Sequence, residues 1–221
     1  MCATAETDLI RGIIFDFDGT LIDSYEPITE SLNQVREAFG KPPLALGEVK
    51  GLVGHGLEHL IEAAIGPEKV ADGVRIFRER YATICESRTT ILPQVRDTLE
   101  ELDRRTYQMA IATNKPSYFA RDILKALDVE HLFVEVLGPN DVERPKPDPE
   151  MLEIIMSRLG LGSDETLYVG DMPLDIEVAR NAGVSVYALP TGSASRDDLL
   201  ARRPDRLLHK FSDLLVYLPA L

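Results

Sequence analysis

The chain has 221 residues, 44% hydrophobic and 28% charged, the length and composition of one soluble globular domain, or of one domain carrying an insertion. Its 37 acidic against 24 basic side chains leave a formal charge of −13. A nucleic-acid-coating protein needs the opposite excess to neutralise phosphates and is excluded, whereas a small phosphorylated ligand answers to the local field of a pocket. No run approaches the ~18 apolar residues of a membrane span. The first dozen residues lack the basic and apolar regions of a signal peptide. The two cysteines, Cys2 and Cys85, have no metal-ligand spacing, and no bridge from the terminal segment is expected. A reducing cytoplasm is the expected compartment.

The first strong element is an apolar strand over 13–17, interrupted by Asp16 and closed by Asp18-Gly19-Thr20. Ile28, Leu32, Val35 and Phe39 then recur at helical spacing, with Pro27 in the first turn and Gly40 to Pro43 as the stop. Two more helical stretches, 57–65 and 68–86, follow without a strand pattern between them, so 22–90 reads as nearly all helix. From residue 92 helices and strands alternate. A helix at 93–105 leads to a strand at 109–113, and a helix at 117–128 to a strand at 133–138. The helix at 149–159, with Asp148-Pro149 at its cap and first position, feeds a strand at 166–170. A helix at 173–182 and a strand at 184–189 complete the pattern. Continuously apolar strands alternating with helices predict an α/β core around a parallel sheet covered on both faces. The chain leaves this core after its first strand, builds a helical insertion and returns.

Ligands of open α/β sheets bind beyond the carboxyl ends of the strands. Four polar clusters fall there: Asp16 with Asp18, Thr113 with Asn114 and Lys115, Lys146, and Asp171 with Asp175. Singly, each has a simpler reading as a turn, a helix cap or a solvated loop tip. Together they point to one site. Carboxylates so gathered repel by about 4 kcal/mol per pair at ~4 Å and an effective dielectric of ~20, so they must be protonated, spread apart or neutralised by a cation. All-oxygen ligands suit Mg²⁺, which shares its shell with waters and a phosphate oxygen. Lys146 and the Thr113 hydroxyl would cradle the other phosphoryl oxygens. Asp16 is then available as nucleophile, and Asp18, on the same side of the strand, as proton donor and acceptor.

The segments DFDGTLIDS (16–24), Thr113-Asn114-Lys115, Lys146 in RPKPDP and GDMPLDIEVARNAG (170–183) resemble, in order, the four motifs of the haloacid dehalogenase superfamily. The resemblance implies a Rossmann-like three-layer core with a parallel sheet, residues 1–21 and 91–221, and a small all-helical cap, residues 22–90. It implies a Mg²⁺-dependent phosphatase of a small phosphorylated metabolite, with Asp16 and Asp18 catalytic. Asp16, the Asp18 carbonyl and Asp171 would hold the metal, with Asp175 acting indirectly, and Thr113, Asn114 and Lys146 would bind the phosphoryl group. Met172-Pro173 departs from the Thr or Ser common in the fourth motif, with only a local effect expected. Dehalogenase members lack an acid at the position of Asp18, since halide leaves without a proton, so phosphoryl transfer is favoured. The stretch 52–60, LVGHGLEHL, resembles phosphoglycolate phosphatases, making Gly54, His55 and Gly56 candidates for substrate contact. His131 and His209 are expected to be structural or exposed, and Arg75, Arg78 and Arg80 to form a solvated face.

Two alternatives share these residues. A sugar-phosphate mutase of the β-phosphoglucomutase type has the same core and cap class and differs in passing the phosphoryl group to a second hydroxyl. A receiver-type phospho-acceptor domain also combines Asp, Thr, Lys and Mg²⁺, but carries its acceptor on a later strand and has no acid two residues beyond it. Expected partners are a small phosphorylated metabolite, with no nucleic acid and no membrane, for a monomer or homodimer.

Overall fold

The computed structural model describes residues 10–221, so Cys2 lies outside the described residues. Strand β1 (Gly12–Phe15) is followed by a two-residue strand, β2 (Ile22–Asp23). Helices α1 (Tyr25–Ala38), α2 (Leu46–Lys50), α3 (Leu57–Ile65) and α4 (Val70–Arg88) come next, and then β3 (Thr90–Ile91). The chain continues through α5 (Val95–Arg104), β4 (Gln108–Ala112), α6 (Ser117–Ala126), β5 (Glu135–Leu137), α7 (Glu150–Leu159) and β6 (Thr166–Gly170). It ends with α8 (Pro173–Ala182), β7 (Ser185–Ala188), α9 (Arg196–Ala201), β8 (Arg206–Leu207) and α10 (Leu214–Tyr217).

Six strands form one parallel sheet in the order β5-β4-β1-β6-β7-β8. The chain builds outward from β1 through β4 to β5, then returns to the other side of β1 and builds through β6 and β7 to β8. The order therefore reverses beside β1, and the crevice at such a reversal is where α/β sheets bind ligands. Alternate residues face opposite layers, as strand geometry requires. Ile13, Phe15, Met109, Ile111, Leu167 and Val169 join Leu99, Leu102, Ile123 and Leu214 of α5, α6 and α10. Ile14, Ala110, Tyr168 and Val186 join Met151, Leu152, Ile176 and Leu199 of α7, α8 and α9. This is a three-layer α/β core, as the apolar strand pattern predicts.

Helices α1 to α4 continue the first of these clusters: Leu32, Val35, Leu60, Ile61, Phe77 and Tyr81 are all buried in it. The insertion is not purely helical at its edges. Its two ends pair as an antiparallel ribbon, Ile22 opposite Ile91 and Asp23 opposite Thr90. Two-residue strands are too short to show a period. Helix α4 starts at Val70 behind a 3-10 turn over Pro67–Lys69 and runs to Arg88, where a helix over 68–86 was expected. The strand expected over 133–138 narrows to Glu135–Leu137, because Glu130–Leu132 forms a 3-10 turn that ends at Phe133. Pro149 is the cap of α7, not its first residue, and Asp148 Oδ1 accepts the Glu150 N–H at 3.1 Å.

Candidate active site

Asp16 directly follows β1, and its N–H still joins the ladder, donating to the Val169 carbonyl at 2.9 Å. The chain then turns tightly at Gly19, whose φ of +86° favours glycine. A Cβ there would also lie 2.7 Å from both Asp171 Oδ2 and the Tyr25 hydroxyl. Asp171 follows β6, and Pro173 opens α8 at its first position, where its missing N–H costs nothing. Thr113 follows β4, its N–H donating to Leu137 at 3.1 Å. The four clusters thus meet at the carboxyl ends of β4, β1 and β6.

Lys146 is the hub on one side. Its ammonium lies 2.9 Å from Asp16 Oδ1, Asp175 Oδ1 and the Tyr168 hydroxyl. Burial opposes its charge, but Asp16 and Asp175 overcome this and hold its pKa well above the ordinary lysine value. Asp16, Asp171 and Asp175 bring ligand-capable oxygens within 4.8 Å of one another. Burial, then the charge of Asp175, pushes the Asp16 carboxyl up to about 7 against the pull of Lys146. Burial, followed by Asp175 and Asp16, likewise raises Asp171 well above the carboxylate range.

One oxygen of Asp171 accepts the Thr20 hydroxyl at 2.7 Å, and the other, Oδ2, is buried without a partner among the described residues. Three buried carboxylates, only two of them in contact with an ammonium and the third with an unpaired oxygen, are a donor set that fits a divalent cation. Asp175 is the least free of the three. Its Oδ1 takes Lys146 and Tyr168, and its Oδ2 takes the N–H groups of Asp171 and Met172 at 3.0 and 2.9 Å. The loop after β7 closes the far side, where a Cβ on Gly192 would fall 1.6 Å from Asp171 Oδ2.

Asp18 faces the other way. Both of its oxygens lie against the Lys115 ammonium, at 2.9 and 3.0 Å, and the Ser24 hydroxyl donates to Oδ1. Lys115 is itself buried and stands 4.8 Å from the centre of the Tyr81 ring. Burial works against this ammonium too, but Asp18 and Tyr81 more than offset it and hold the pKa above the ordinary value. Asp16, Asp18, Thr113, Asn114 and Lys115 open on a cavity of about 60 Å³, closed over by Val53, Leu57 and Phe77 of the insertion.

The site residues expected from the sequence are therefore gathered in one place, with three qualifications. Asn114 spends its amide N–H groups on the carbonyls of Gly54 and Lys146, at 3.0 and 3.2 Å, so its side chain ties three segments together and offers no donor to a phosphate. Gly54 and Gly56 line the cavity, but His55 is exposed and packs edge-on against His59, 5.2 Å between ring centres. Met172 reaches beyond its own loop, since its sulfur would lie 2.2 Å from a Cβ on Gly54. Thr20, Tyr168 and Tyr81 belong to the site although sequence reasoning did not single them out, and Lys115, placed in the strand-end cluster, was given no role of its own. The signal available for Lys115 was its place beside Thr113 at a strand end. His131 and His209 are exposed, and Arg75, Arg78 and Arg80 pair with Glu79, Glu58 and Glu30.

This fold and this acidic strand-end site define a class. The chain belongs to the haloacid dehalogenase-like hydrolases, whose family pattern matches residues 13–189. It is 34% identical to the phosphoglycolate phosphatase of Pectobacterium atrosepticum over 218 residues, covering 96% of this chain and 93% of that one. It is 32% identical to phosphoglycolate phosphatase 1 of Pseudomonas aeruginosa, covering 95% and 80%. Among solved structures, a haloacid dehalogenase-like hydrolase of Streptococcus pneumoniae superposes with a TM-score of 0.86 at 28% identity, over 95% of this chain and 99% of that one. A predicted phosphoglycolate phosphatase of Haemophilus somnus gives 0.85 at 28%, over 94% and 97%. No helix among the described residues is long and apolar enough to cross a membrane.

Proposed function

We propose that this hydrolase is a Mg²⁺-dependent phosphatase of a small phosphomonoester, with phosphoglycolate the first candidate, working through an aspartyl-phosphate on Asp16. One observation carries the reading: Asp16, gripped by Lys146 beside an unpaired Asp171 oxygen, shares one small chamber with Asp18. The names of the relatives support the choice of ester. Asp16 and Asp171, with the Asp18 carbonyl, would hold the metal, and Asp175 would fix the lysine and the turn behind them. When bound, Mg²⁺ supplies positive charge against the phosphoryl oxygens and the carboxylates around them.

In the first step an Asp16 oxygen attacks phosphorus and the ester P–O bond breaks, while Asp18 gives its proton to the departing alkoxide. In the second, water attacks the same phosphorus and loses its proton to Asp18, releasing phosphate and restoring Asp16. Lys146 holds the nucleophile in place and puts positive charge beside the phosphoryl oxygens, and the Thr113 hydroxyl adds a donor. The helices of residues 22–90 act as a cap on the core of 1–21 and 91–221, excluding bulk water from the chamber. A mutase must seat a second phosphoryl group as well, and Lys115 is the one cation among the residues lining this chamber. A reducing cytoplasm suits the described cysteine, Cys85, which is buried and unbridged.

A screen of short phosphate esters, with and without chelator, tests the reading. Phosphate release should vanish in EDTA and return with Mg²⁺, while Ca²⁺, with its longer bonds and larger ligand number, should restore little. Full activity after exhaustive dialysis against EDTA would remove the metal from the mechanism. Failure to cleave any ester in Mg²⁺ would remove the phosphatase.

A further inference from the structure

The chamber in front of Asp16 and Asp18 has two unlike ends. At the strand ends it is acidic. Its roof is apolar, made by Ile28, Val53, Leu57, Leu60 and Phe77. The arginines of α4 do not enter it: Arg75, Arg78, Arg80 and Arg88 are paired with glutamates elsewhere. Lys115 is the only positive charge among the lining residues. Of its three N–H donors, two serve the oxygens of Asp18, and the ammonium also interacts with Tyr81.

Tyr81 stands beside it. Its ring is stacked on Phe77, 5.3 Å between centres, and meets Phe119 edge-on at 5.0 Å, with the Lys115 ammonium over its face. These contacts fix a side chain that is only 1% exposed. Its hydroxyl nevertheless has no hydrogen-bond partner among the described residues. A buried, oriented donor without an acceptor is uncommon in a folded protein, and its natural explanation in a ligand chamber is an acceptor that arrives with the ligand.

Resting on the phosphatase reading above, we propose that Tyr81 and Lys115 form the subsite for the non-phosphorylated end of the substrate, and that this end is a carboxylate. Two donors, one cationic and one neutral, match the two oxygens of a single carboxylate. They would underserve a second phosphoryl dianion, and an alkyl end would leave the Tyr81 hydroxyl unpaired. The distance along the substrate follows from Asp18. Both oxygens of that acid touch Lys115, and the same carboxyl must reach the ester oxygen, so the carboxylate can be only a short carbon chain from the phosphorylated oxygen. The substrate class is therefore the short phospho-hydroxy acids.

Equilibrium binding separates this subsite from the chemistry. In Asp16→Asn enzyme with Mg²⁺, calorimetric titration should show 2-phosphoglycolate binding about tenfold or more tighter than ethyl phosphate, which has no carboxylate. Adding Tyr81→Phe should weaken phosphoglycolate by a comparable factor and leave ethyl phosphate within about twofold. Because the hydroxyl is unpartnered, Tyr81→Phe should keep or raise the Tm, which excludes a folding defect as the cause. Equal affinity for the two esters, or an equal loss for both on Tyr81→Phe, overturns the subsite. Carboxylate-selective binding without turnover by the Asp16-containing enzyme would uphold the subsite and overturn the phosphatase reading. Turnover of both esters with equal KM would do the reverse.

Discussion

Two acids two residues apart in one strand extension are met by two different lysines. Lys146 takes Asp16 and Lys115 takes Asp18, so neither acid depends on the other's cation for its place. If Asp18 protonates the leaving oxygen, its value must scale with how badly that oxygen needs a proton. General acids contribute roughly 10²–10⁴-fold. Asp18→Asn should forfeit most of that in the first step with an alkyl phosphate and far less with a nitrophenyl phosphate, whose phenolate leaves unaided. The second step still needs a base, so phosphorylated enzyme should accumulate with the aryl ester. Rapid-quench kinetics that follow the phenolate burst and the labelled protein read both effects, and equal losses of burst rate would rule out leaving-group protonation by Asp18. The two acids were legible in the sequence because they close an apolar strand two residues apart, but the expected shared strand side was not found: β1 ends at Phe15, and Asp18 turns to Lys115 while Asp16 turns to Lys146. The pairings were not, since Lys115 lies 97 residues from Asp18 and Lys146 reaches Asp16 from a segment more distant still. Tyr81 was still less legible, an aromatic at core spacing in a helix whose free hydroxyl only packing could disclose.

At the scale of elements, what the sequence carries is periodicity, and elements long enough to show a period were legible. Strands β1, β4, β6 and β7 are continuous apolar runs because both of their faces are buried. The ribbon of β2 with β3, the edge strand β8 and the short helices α2, α9 and α10 carry two to six residues each and escape any periodic reading. Sheet order was not legible either, since nothing local tells β6 to cross back beside β1. The insertion depends on one small residue for its packing. A Cβ at Gly73 of α4 would sit 2.5 Å from Ile61 Cγ2, 2.9 Å from Ile65 Cδ1 and 3.3 Å from Val35 Cγ1. Alanine gains about 1 kcal/mol in helix propensity over glycine, while overpacking a core costs typically about 1–3 kcal/mol. Ile61 is fully buried and has nowhere to retreat, so the second term should win. Gly73→Ala should lower the urea midpoint by the equivalent of roughly 1 kcal/mol. A raised midpoint would mean that α3 and α4 can separate freely, and the packing argument would fall.

For the molecule as a whole, the cost of the site is an electrostatic one that a cation should relieve. The folded state raises the Asp16 carboxyl from 3.8 to about 7, chiefly by burial, and raises Asp171 as well. A carboxyl that binds its proton more tightly folded than unfolded adds stability in full below the unfolded value, and loses it as pH rises through the folded one. For Asp16 that window runs from about pH 4 to about pH 7. Carboxylates lowered by surface partners, such as Glu30 beside Arg80 and Asp198 beside Ser195, push the other way, their stability being lost as pH falls. The pH profile of the metal-free protein therefore mixes both signs and decides nothing by itself. The increment caused by Mg²⁺ does decide, because cation and protons compete for the same carboxylates. At a hundredfold excess over its Kd, a ligand stabilises by about 2.7 kcal/mol, which for a chain of this length is about 5–11 °C in Tm. Calorimetry with and without Mg²⁺ should show a shift of that order near pH 8 and a clearly smaller one near pH 5 at the same metal concentration. The same shift at both pH values would mean that the cation binds elsewhere, and the buried cluster of Asp16, Asp171 and Asp175 would then not be its site.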